Sequence, residues 1–182
     1  LLLFKCLLYT TAPGILAGRI LTPRREAYDG STALVWAAGS HPIVAVIALS
    51  TIALGGSLAL ASSVLDVVIL LLAVGSLPAL SQTRRIKHLP GSDYLLTGLG
   101  IVLVFIPMLS LRNWFGFHGF WHTTIVNSLL AGQFPPDNPG LGGAEIGYVW
   151  LYHLWLALLA FKTGAHPALI NVITHVMLLF SL

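Results

Sequence analysis

The passage from Asn113 to His153 lies between two strongly apolar runs and holds three of the chain's seven histidines, together with Asp137 and Glu145. His118 and His122 are four residues apart, so a helix carries them one turn apart on one face, where two imidazoles can reach one metal ion. The glutamate that zinc helices place beside such histidines is absent, and spacing fixes no third ligand. Asp137, Glu145 or His153 would complete the set, which makes a divalent metal ion a candidate cofactor. The plainer reading puts both histidines at a water interface or on loop carbonyls, with Asp137 and Asn138 satisfying turn backbone.

These side chains need elements to hold them. Residues Phe117 to Leu130 suit a short amphipathic helix, and Gly132 ends it. From Phe134 to Pro139 three prolines each fix their own φ and restrict the preceding residue, which predicts a rigid extended or turn segment. Phe134 offers an apolar anchor by which that segment folds back over the end of a bundle. Gly140, Gly142 and Gly143 add a flexible tip.

The rest of the chain reads as membrane. Of 182 residues, 57% are hydrophobic and 8% charged, with mean hydropathy +0.89, against about 25% charged in a soluble domain. This predicts an all-α polytopic transmembrane bundle in one domain, in contact with the lipid bilayer. The chain starts at Leu1 and ends inside an apolar run, which predicts a piece of a longer polypeptide. Six spans are expected, at 1–21, 33–54, 58–80, 95–111, 148–161 and 167–182, with an outer loop at 112–147. The hairpin break within 31–80 is placed at Gly55-Gly56-Ser57, with Ala61-Ser62-Ser63 as the competing turn. Tyr148, Tyr152 and Trp155 read as interface belt and packing residues. Asn171 and His175 share one face of the last span, where an interhelical hydrogen bond is expected.

Cys6 stands alone, which excludes an internal disulfide or a cysteine metal cluster and suits a small packed residue. The net charge of +3 does not indicate a nucleic-acid partner, because the basic residues sit in short clusters between apolar runs. By the positive-inside rule, Arg24, Arg25, Arg84, Arg85, Lys87 and Lys162 mark the cytoplasmic side and leave the large loop outside. Asp66 is the lone acid of the apolar hairpin and reads as a packed or interfacial carboxylate.

His122, Asn127, Gly132, Phe134, Pro135, Pro136, Pro139, Gly143, Tyr148, Trp150 and His153 form a pattern that resembles the first extracytoplasmic loop of GT-C-type membrane glycosyltransferases, in particular poorly characterised prokaryotic members. The likeness covers residues 113–153. It implies a polyprenyl-phosphate sugar as substrate, in a prokaryotic inner (cytoplasmic) membrane. Where those enzymes carry the catalytic aspartate, this chain has His118, and the likeness makes His118, His122 and Asp137 the candidate catalytic residues, with a neutral imidazole as the base. Such an enzyme needs a base near the acceptor and cations near the donor phosphate. Arg112, Asn138, Glu145, Tyr148 and His153 are the expected substrate contacts. The alternative is a non-catalytic structural subunit of a larger membrane complex, docked through the apolar hairpin. A transporter would want paired intramembrane charges and broken helices, and the sequence offers only Asp66.

Overall fold

A computed structural model describes residues 2–21, 30–80, 98–99, 117–141, 143–144, 146 and 150–181, and what it describes is all-α. The helices are α1 (Leu2–Leu21), α2 (Gly30–Ala38), α3 (Ser40–Ala53), α4 (Leu58–Leu80), α5 (Phe117–Leu130), α6 (Leu151–Thr163) and α7 (Pro167–Ser181). A backbone bond from Gly39 N to Val35 O carries α2 into α3, so the two form one interrupted helix and the described residues hold six helices. Pro42, in the first turn of α3, lacks the N–H that would reach Ala38 O. His41 Nδ1 donates to that carbonyl instead, at 2.7 Å.

The hairpin breaks at the expected glycines. Gly55 has φ 79°, its N–H reaches Ile52 O, and Gly56 N reaches Thr51 O. This paired closure of a helix end needs a residue that tolerates the left-handed region. Ala61, Ser62 and Ser63 lie inside α4, which rules out the competing turn.

Two helices, Val35–Ala53 and Leu58–Pro78, are long and apolar enough to cross a membrane, or three if the bent pair α6–α7 counts as one span. On α4, Val67, Leu70, Leu71, Val74 and Leu77 face outward, a continuous apolar surface suited to lipid contact. Of the expected span at 95–111 only Gly98 and Leu99 are described, and both are helical. The last two expected spans, 148–161 and 167–182, appear instead as a 13-residue α6 and a 15-residue α7. A break of at most four residues bends them by 115°. Gly164, with φ 71°, closes α6.

Packing contacts give the register of the bundle. Gly14 N donates to Ser40 Oγ at 2.8 Å, and a Cβ built at Gly14 would lie 1.9 Å from Trp36 O. Gly18 lies directly under the Trp36 ring. Two glycines four apart thus let α1 and the α2–α3 helix approach closely, and the two run antiparallel. Tyr9 meets Asp66 and Ile20 meets Gly75, so α1 and α4 run parallel. Cys6 is fully buried in this packing, as a small hydrophobe should be.

Helix α6 forms the centre. Every residue from His153 to Ala160 is buried, and a helix apolar on all sides belongs inside a bundle. Trp155 is only 3% exposed and packs against His41, with ring centroids 4.2 Å apart. It is a core residue and not part of an interface belt. Helix α7 packs on α2, and α5 packs on α6 and α7. Trp155, in the second turn of α6, therefore lies level with His41, near the middle of the α2–α3 helix.

Candidate functional site

The site is built where α5 and its following loop dock on α6. Ile125, Val126 and Leu129 are buried on the inner face of α5 while Phe120 and Asn127 face out, so the outer face carries a large apolar ring and the helix is not the amphipathic one expected. The helix ends as the sequence predicts. Gly132 has φ 88°, its N–H donates to Leu129 O, and Gln133 N donates to Ser128 O.

The loop then folds back on itself. Asn138 N donates to Ala144 O at 2.8 Å and Ile146 N to Pro136 O at 3.1 Å, with Pro136 and Ile146 both buried. Phe134 packs against the core, and the Trp121 ring of α5 lies against Gly140. The Phe134–Pro135 peptide bond is cis. The proline segment is thus docked on the bundle through Phe134, as anticipated.

One loop contact ties Asp137 down. Gln133 Nε2 donates to Asp137 Oδ2 at 3.0 Å, Asp137 N donates to Ser128 Oγ at 3.3 Å, and Ser128 Oγ donates to Gln133 Oε1. Asn138 Oδ1 accepts from Gly140 N at 2.9 Å, closing a turn. Asn138 thus serves the turn as in the plainer reading, whereas the Asp137 carboxylate is exposed and is held by the Gln133 side chain.

The histidines behave differently. His122 Nδ1 lies 2.7 Å from His153 Nε2, so one ring donates to the other, and the rings stack with centroids 5.0 Å apart at 21°. His153 is 1% exposed, whereas His122 is partly buried. Two imidazoles on one tetrahedral zinc at ~2.05 Å would hold their nitrogens ~3.3 Å apart, so this pair is spaced for a shared proton. Among the described residues no group of three His, Cys, Asp or Glu side chains gathers for a metal ion. The carbonyl-bonded or interfacial role expected of His122 gives way to this pairing. His118 occupies the first turn of α5. Its side chain lies outside the described residues, as do Arg112, Glu145 and Tyr148 entirely.

Around the pair runs a series of ring contacts. Tyr152 meets His153 edge-on at 5.5 Å and Trp155 at 5.4 Å, and Trp155 meets His41. Tyr152 OH donates to Asn171 Oδ1 at 2.7 Å, the interhelical bond expected of Asn171.

A second polar group was not anticipated as a group. Lys162 Nζ forms an ion pair with Asp66 Oδ2, Tyr9 OH donates to Asp66 Oδ1 at 3.1 Å, and Lys162 sits 5.2 Å from the Tyr9 ring centroid. Asp66 lies close to the midpoint of the Leu58–Pro78 candidate span and Tyr9 close to the middle of α1, so the group sits at mid-height of these two helices. Sequence spacing cannot reveal it, because its members are 57 and 96 residues apart.

No protein-family model matches the chain, and comparison with curated proteins and with solved structures yields no significant match. Fold and site together define a helical protein with two to three candidate membrane spans, a docked proline loop and a buried histidine pair.

Proposed function

We propose that the chain is a GT-C-like integral membrane glycosyltransferase, or an inactive relative, that handles a lipid-linked sugar at the extracytoplasmic face. The observation that carries this reading is the His122–His153 contact beneath a loop whose residues resemble that family. An acceptor hydroxyl gives its proton to the histidine pair as its oxygen bonds the anomeric carbon. The bond from that carbon to the polyprenyl phosphate breaks, and the phosphate keeps the electron pair. His153 holds the His122 ring in place and shares the proton, the role of an orienting partner behind a base. Arg112 is the cation assigned to the donor phosphate.

The alternative, a non-catalytic transmembrane subunit, is favoured by the engagement of Asp137 in the Gln133–Ser128 network. Sugar transfer from a panel of polyprenyl-phosphate hexoses, measured in proteoliposomes, separates the two. The enzyme reading expects turnover by wild type, a loss of roughly 10²–10⁴ in rate for His122→Ala and His153→Ala, and near-normal rates for Asp137→Asn. Turnover that survives both histidine replacements would refute the catalytic pair. Turnover only in His118→Asp marks a lapsed enzyme, and none in any variant favours the subunit.

A further inference from the structure

We propose that Asp66, Lys162 and Tyr9 form a charge latch that seats the tip of the α6–α7 hairpin at mid-depth in the membrane. Three observations meet here. First, the 13-residue α6 is too short to cross a bilayer alone, and it is bent by 115° from α7 at a break of at most four residues. Irregular backbone at membrane depth survives only where protein or a watered cavity covers it. The tip therefore needs something that holds it in place.

Second, the hold is electrostatic and lies beside the break. Lys162 is the next-to-last residue of α6, one before Thr163. Its ammonium reaches across to Asp66 on α4 and lies over the Tyr9 ring of α1. One contact group thus clamps the hairpin tip to two other helices. The C-terminal end of α6 also favours a cation at this position.

Third, the pair is only partly enclosed. The Lys162 side chain is 15% exposed and that of Asp66 is 48% exposed. A charge at mid-depth without its partner is costly in hydrocarbon. Removing either charge should drive the other toward water, and the tip moves with Lys162. A fully enclosed pair would have no such route.

The test is tip accessibility in the whole chain reconstituted in bilayers. The buried Cys6 is replaced by alanine, a single probe is placed by His166→Cys, and a membrane-impermeant maleimide reports its exposure. Singly charged variants Asp66→Asn and Lys162→Met should label faster than the parent, by roughly a hundredfold for an uncompensated mid-membrane charge. The exchanged pair Asp66→Lys/Lys162→Asp should return to the parent rate. Equal labelling in all four proteins overturns the latch. Fast labelling in the exchanged pair also overturns it, because restored pairing then fails to restore the seat. If the single variants do not insert, the exchanged pair alone decides: parent-like labelling supports the latch, and failure to insert or fast labelling refutes it.

Discussion

At the residue scale, the chemistry-bearing side chains divide by what they touch. His122 and His153, 31 positions apart, meet at 2.7 Å, while Asp137 turns to Gln133 and Ser128. The sequence shows that both histidines belong to one passage, but no periodicity links a residue on α5 to one on α6. Asp137 and Asn138 were legible as turn residues because the prolines around them leave the backbone few conformations. The histidine contact predicts coupling. His153→Phe keeps the ring volume but removes a bond from His122, and should destabilise the protein by about 1–3 kcal/mol. His122→Phe should cost a similar amount, and the double variant less than their sum. Thermal unfolding of the four proteins in detergent measures this. Additive losses would show that the rings do not depend on each other.

At the element scale, local chemistry fixed more than charge did. The ends of α3 and α5 fall at Gly55 and Gly132, and the span of α4 begins one residue after Ser57, all readable from turn glycines between apolar runs. The helix from Phe117 to Leu130 was legible for the same reason. The close approach of α1 to α2–α3 was readable in principle from Gly14 and Gly18, whose spacing of four is the small-residue packing signature. Gly14→Ala brings a methyl within 1.9 Å of the Trp36 carbonyl oxygen, a backbone atom that cannot rotate away. It should cost about 3 kcal/mol or more, whereas Leu70→Ala on the outward face of α4 should shift stability within about 0.5 kcal/mol. Comparable unfolding temperatures for these two variants would contradict the packing of α1. The lengths of α6 and α7 escaped the sequence reading. Apolar composition does not distinguish a full crossing from half of a bent pair, and Lys162 looked like a loop residue because Gly164 follows so closely.

At the scale of the whole molecule, Lys162 changes the picture of the fold. A charge pair that joins a candidate span to a bent helix pair, which the sequence did not display, is present in Asp66–Lys162 and the α6–α7 bend. The charge rule sets the Gly55 turn and the proline loop on one face, the outside. The glycosyltransferase reading likewise needs the loop outside. The direct measurement uses single cysteines at Asp137 and at the exposed Leu54, in a Cys6→Ala background, labelled with an impermeant maleimide in sealed, oriented vesicles. The account predicts that both positions react from the outside without opening the vesicles. Protection of position 54 would contradict the charge-rule topology, and protection of position 137 would sink the lipid-linked-sugar reading.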